Sequence, residues 1–399
     1  MDLIIPRRSG SYLALLVANT VLASMMPMLI ILGGLAGIML TPTPALATLP
    51  ASLQALAGLL AATPISLLMG QRGRRFGFMT GAATGILGGV LGAFAIKTES
   101  FAFLCLAHMT LGTALASFQF FRFAAAETVP IKWRPIAISL MMTSGLIAAF
   151  IGPQMFIWAR TFSLEAPLVG AYACVAFLGL LGLLPLGLVR KAGTQGAAPR
   201  RLTQKSIAVL TQPPIIQAVT VGAVSQGVMM LLMAPTTIAM IGCGFSGSLA
   251  ADVIRWHVVA MFAPSLLTGT LIQRFGARVV IAAGLLLLVL AALTAAHGLT
   301  APHFYTSLII LGIGWNFGFI GATNLLTAAA RPEDRALAQG VNDTVIALVS
   351  AASAFASGAL VTGSGWMVLA LVALLLVLMG AIASFVPELT GRSKLFGGQ

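Results

Sequence analysis

The feature that most limits this chain is a run of about twelve apolar segments, each roughly 20 residues or longer, with only short polar breaks between them. A segment of that length crosses a hydrocarbon core of ~30 Å as a helix. Backbone in lipid must satisfy its own hydrogen bonds, which leaves helices or a closed barrel. The segments lack the polar/apolar alternation of barrel strands, so the chain reads as an all-α membrane protein. Charged residues make up 8% of the sequence, against about 25% in soluble domains, and a soluble globular fold is excluded.

The net charge of +13 invites a nucleic-acid reading, but its placement argues against one. Lys and Arg fall in the two terminal tails and in alternate connections; of the 22, only Lys97, Arg160 and Arg255 lie on the other side. By the positive-inside rule both termini are expected in the cytoplasm, which an even number of spans also requires. The first span is too long for a cleaved signal peptide. Cys105, Cys174 and Cys243 are scattered and form no CxxC, so neither a disulfide framework nor a zinc knuckle is indicated. No Walker loop, GxGxxG with a following acid, or HExxH occurs, so no nucleotide-driven or hydrolytic chemistry is expected, nor any cofactor. The chain is read as a secondary transporter and not an enzyme.

The longest polar break, residues 190–213, holds Arg190, Lys191, Arg200, Arg201 and Lys205. It is expected to be a cytoplasmic linker between two six-helix bundles, residues 1–189 and 214–399. Cationic turns recur at equivalent places, after the second span (Gly70-Gln71-Arg72-Gly73-Arg74-Arg75) and after the eighth (Gln273-Arg274-Phe275-Gly276-Ala277-Arg278). That is the internal repeat expected of a transporter built from two related bundles.

At these turns the chain resembles the major facilitator superfamily, whose signature between the second and third helices reads approximately GxLaDRxGRR. The second copy, Gly269 to Arg278, keeps the glycines, Leu271, Arg274 and Arg278; the first keeps Gly73, Arg74 and Arg75 but has Gly70 where an acidic residue usually stands. The resemblance implies the twelve-helix fold of that superfamily and leaves the substrate open. It also implies that the usual charge latch lacks its carboxylate in the first half.

Substrate is read from the stretch Gln226 to Met261. Met229 and Met233 are four residues apart on span seven, and His257 and Met261 four apart on span eight, so each pair shares one helix face. Three thioethers and one imidazole suit Cu(I) better than a hard cation. At ~1.5 Å per residue, Met233 and Met261 would lie on the order of 13 Å below the outer ends of their helices, with His257 nearer the mouth. This MxxxM followed by HxxxM is similar to the motif pair of the CcoA-like copper importers. That resemblance implies copper import across a bacterial inner membrane for assembly of the cbb-type cytochrome c oxidase, with copper as transported substrate and these four residues as its ligands.

The same residues admit plainer roles. Methionine is a common filler of apolar helices, and His257 could simply hydrogen-bond a neighbouring helix. Other candidates are Cys243 as a thiolate donor, and a second soft cluster of His108 and Met109 with methionines of spans one and five. Asp343, the acidic residue placed well inside span eleven, is expected to couple transport to protons or to pair with Arg72, Arg74 or Arg75. The competing function is transport of an organic solute, drug or metal chelate through a cavity with Asn19, Gln226, Asn316 and Asn324, to which Trp256, Phe317 and Arg255 contribute. A monomer in the lipid bilayer, without nucleic-acid partners, is expected in either case.

Overall fold

The computed structural model describes residues 9–42, 46, 49–161, 167–189 and 208–389. Among them twelve helices are long and apolar enough to cross a membrane, and no strand occurs. They are α1 (Gly10–Leu40), α2 (Leu49–Arg72), α3 (Arg74–Lys97), α4 (Phe101–Glu127), α5 (Ile131–Ala159), α6 (Leu168–Leu188), α7 (Pro213–Gly242), α8 (Asp252–Phe275), α9 (Ala277–His297), α10 (Ala301–Ala329), α11 (Arg335–Gly363) and α12 (Gly365–Ser384). Arg7, Arg8, Arg392, Lys394 and residues 190–207 of the expected linker lie outside the described residues.

The two cationic turns share one backbone solution. Gly73 sits at φ 89°, ψ 157° between α2 and α3, and Gly276 at φ 84°, ψ 154° between α8 and α9. That region is open essentially to glycine alone. The repeat extends to packing. The chain divides into two compact units: Met1–Ile131 with Ser144–Arg201 and Gln339–Thr344, and Lys132–Thr143 with Leu202–Ala338 and Val345–Gln399. In the first, α3 packs on α4 and α6, α2 on α4, and α1 on α6; in the second, α9 packs on α10 and α12, α8 on α10, and α7 on α12. The second set is the first shifted by six helices.

Small residues allow these approaches, as expected where lipid removes the hydrophobic drive between helices. A Cβ added at Gly89 of α3 would lie 2.6 Å from the backbone nitrogen of Ala176 in α6. In the second unit Gly284 of α9 would put a Cβ 2.6 Å from the nitrogen of Gly318 in α10.

Proline sets the breaks. Helix α7 is interrupted at Ala234–Pro235 and α8 at Ala263–Pro264, where the ring removes a donor and frees carbonyls one turn back. In α8 the break is bridged by Asn316 of α10. Its Nδ2 donates to the Met261 carbonyl and to Ser265 Oγ, both at 2.6 Å, and its Oδ1 accepts from Thr268 Oγ1 at 2.6 Å. Ser139, from the α5 segment grouped with the second unit, donates to the Ser265 carbonyl and accepts from the Gly269 amide at 2.9 Å.

Candidate functional site

The second unit gathers polarizable and aromatic side chains where α7, α8 and α10 meet. Met229 and Met261 are buried with Trp315 and Phe319, and Met142, Met230, Met233, Phe262 and Ile346 pack against them half-buried. Trp315 and Phe319 are four residues apart on α10, so they share a face. Their rings stack at 4.9 Å with 17° between planes, and Phe262 meets Trp315 edge-on at 5.9 Å. Gln226 of α7 is half-buried; its Oε1 accepts from the Trp315 indole N–H at 2.8 Å and its Nε2 donates to Ser350 of α11 at 3.4 Å.

Of the four expected metal donors, the three thioethers of Met229, Met233 and Met261 enter this one cluster. His257 is fully buried. A close approach of α8 and α10 at Gly312 puts it in the helix interface: its Nδ1 bonds the Leu308 carbonyl at 2.7 Å, and its Nε2 has no hydrogen-bond partner. A carbonyl only accepts, so Nδ1 carries the proton and Nε2 presents a lone pair. Cys243 is exposed at the end of α7, on an apolar groove shared with Leu299, Val361 and Trp366. Among the described residues no group of three or more His, Cys, Asp or Glu gathers as a metal site would.

Among the residues expected to line an organic cavity, Phe317 is partly buried. Trp256 is half exposed, and Arg255 is exposed and paired with Asp252 at 2.9 Å. Asn316 is occupied in holding the α8 break, and Asn324 bonds back to the Ile320 carbonyl at 2.9 Å. The residues that sequence reasoning missed are Trp315 and Phe319; their i,i+4 spacing beside three glycines, Gly312, Gly314 and Gly318, was the available signal.

In the first unit His108 and Met109 diverge. His108 is fully buried, whereas Met109 is exposed. Both nitrogens of His108 are used, Nδ1 with Gln54 Oε1 and Nε2 with the Tyr172 hydroxyl, each at 2.8 Å. The amide oxygen accepts, so the proton sits on Nδ1 and the phenol donates to Nε2.

Asp343, in the α11 segment grouped with the first unit, pairs with Arg122 of α4 and not with Arg72, Arg74 or Arg75. Its Oδ1 also accepts from Asn342 at 2.8 Å, while its Oδ2 is buried without a partner. Arg122 is buried in the last turns of α4, where its guanidinium lies 4.6 Å over the Phe123 ring. Arg74, in the turn that lacks the usual acid, finds Glu127 of α4 instead, with bonds of 3.0 and 2.7 Å, and it also reaches Gln339, one turn before Asp343.

Over 370 residues, 91% of this chain and 93% of the relative, the sequence is 41% identical to the riboflavin transporter RfnT of Brucella anthropi. Residues 244–398 also match the profile of the Major Facilitator Superfamily. The chain belongs to the Major Facilitator Superfamily. It is therefore a multi-pass secondary transporter of the kind bacteria hold in the inner membrane, not an enzyme. A second member, the uncharacterized MFS-type transporter YddS of Bacillus subtilis, is 30% identical over 77% of this chain and 75% of its own length. The fold superimposes on the superfamily transporter FucP in its outward conformation with a TM-score of 0.76 at 18% identity, covering 96% of this chain and 97% of FucP.

Proposed function

We propose that this superfamily member carries riboflavin or a closely related planar heterocycle across the bacterial inner membrane. The observation that carries this reading is the 41% identity to the Brucella anthropi riboflavin transporter along nearly the whole of both chains. The stacked Trp315 and Phe319 beside the Gln226 amide are chemically suited to such a cargo. The chain works as a monomer by alternating access of two six-helix bundles, 1–189 and 214–399, joined by the linker 190–213, with both termini in the cytoplasm. Asp343, a buried carboxylate with one unpartnered oxygen, is the group that would bind and release a coupling proton. The test is growth of a riboflavin auxotroph lacking its own transporter. Expression of this chain should permit growth at low riboflavin and raise uptake of labelled riboflavin; unchanged uptake would refute the reading.

One observation favours a second reading, copper import supporting cbb-type oxidase assembly. Three thioethers share one cluster and the Nε2 lone pair of His257 is unclaimed, a donor set suited to Cu(I). Copper accumulation in cells with and without the protein separates the two readings, because riboflavin uptake and copper uptake are measured independently.

A further inference from the structure

We infer that Trp315, Phe319 and the Gln226 amide form the recognition site for the ring of the cargo: a wall on which a planar heterocycle stacks, and an amide that reads its imide edge. The inference rests on the organic-solute reading above and goes further by naming the atoms.

Three features of the second unit converge on it. First, Trp315 and Phe319 present near-parallel faces, 17° apart, on one side of α10, and Phe262 braces the indole from its edge. The rings lie face to face, so the pair ends in a π-face onto which a planar π-system can add in offset stacking. Second, the Gln226 amide is held in one orientation by the Trp315 indole N–H at 2.8 Å and by Ser350. A primary amide offers two N–H donors and two carbonyl lone pairs. The two bonds formed here take one of each, which leaves one donor and one acceptor in the plane of the amide. An imide edge, with alternating carbonyl and N–H, is complementary to that pair. Third, Trp315 and Phe319 are themselves buried, and the way to them is the half-buried rim of Gln226, Met142, Met230 and Met233, whose flexible side chains a guest displaces. A half-exposed amide facing hydrocarbon would carry a desolvation cost with no compensating partner, so this face fits a polar, solute-accessible space better than lipid. Flexible thioethers around aromatic rings supply an adaptable, polarizable lining for a flat guest.

The chemical class is thus a planar heteroaromatic with an imide or amide edge, of which the isoalloxazine ring of riboflavin is the example to use. The experiment takes the full-length protein in lipid nanodiscs and titrates it with riboflavin, following both flavin and tryptophan fluorescence. The wild type should bind saturably with strong mutual quenching. Trp315→Phe keeps a stacking face but releases the Gln226 amide from its indole anchor, so binding should remain saturable and weaken by no more than about tenfold, while most of the quenching should vanish; Trp256→Phe, altering a half-exposed ring outside the cluster, should leave quenching intact. Gln226→Leu should weaken binding about tenfold, the effect of losing a directed hydrogen-bond pair in a partly dry site. A flavin methylated at the imide nitrogen needs no mutation: it should bind the wild type about tenfold more weakly than riboflavin and bind Gln226→Leu no worse than riboflavin does. If the wild type binds riboflavin while Trp315→Phe keeps full quenching, or while the methylated flavin binds equally well, the inference falls and riboflavin transport stands. If the wild type shows no saturable riboflavin binding, both fall.

Discussion

Arg122 of α4 and Asp343 of α11 form an ion pair in which the side chains are 4% and 6% exposed. Taking two charges out of water is expensive, and their attraction repays it only when the geometry and remaining hydrogen bonds are good. Here Asp343 Oδ1 has two donors and Oδ2 has none. Asp343→Asn or Arg122→Met alone should destabilise by about 3–5 kcal/mol, whereas the double replacement Arg122→Met with Asp343→Leu should recover most of that loss. Thermal unfolding in detergent reads both. In transport assays Asp343→Asn should keep exchange of labelled for unlabelled substrate and lose gradient-driven accumulation; accumulation at the wild-type level would remove Asp343 from proton coupling.

Tyr172→Phe deletes the hydroxyl that donates to His108 Nε2. The ring still fills its place, so the change isolates one hydrogen bond. A buried acceptor left without a donor costs about 1–3 kcal/mol. The expected result is a lower midpoint of thermal unfolding with riboflavin affinity unchanged, measured on the same nanodisc samples.

Gly89→Leu forces a side chain into the backbone of α6, where even a Cβ would lie 2.6 Å from the Ala176 nitrogen. Neither backbone can yield as a flexible side chain would, and overpacking of this kind costs at least about 1–3 kcal/mol. The variant should be recovered at low yield and unfold earlier, while Gly34→Ala, where an added Cβ meets nothing within 4 Å, should behave like the wild type.

Met229→Leu separates the two cargo readings. The swap conserves volume and should cost less than ~1.5 kcal/mol, so folding and riboflavin uptake should survive. Copper accumulation would drop if the thioether were a ligand. Unchanged copper levels in Met229→Leu, Met233→Leu, Met261→Leu and His257→Ala would end the metal reading.

Architecture was legible in the sequence because lipid enforces it: apolar length is a one-dimensional signal, and the glycine turns at Gly73 and Gly276 recur in order. Side-chain partnerships were harder to see. For Asp343 the sequence leaves proton coupling open beside a pairing with Arg72, Arg74 or Arg75, and its partner in the structure is Arg122, 221 residues away. Trp256 and Arg255 stand out as an aromatic and a cation within a span, but Trp256 is half exposed and Arg255 is paired with Asp252 three residues earlier. The Met229, Met233 and Met261 convergence was readable from spacing. Its meaning was not, because thioethers serve a soft metal and a flavin ring equally well.

The break in α8 has a mechanical consequence. One carboxamide, Asn316, spans the Pro264 discontinuity, and Ser139 clasps the residues just beyond it. A proline bend is ordinarily a soft joint, but this one is splinted on both sides. A displacement of Trp315 is passed to the adjacent Asn316 and, through the residues around Ser265, to Ser139 of α5, so the compliance needed for rocking must reside elsewhere in the chain.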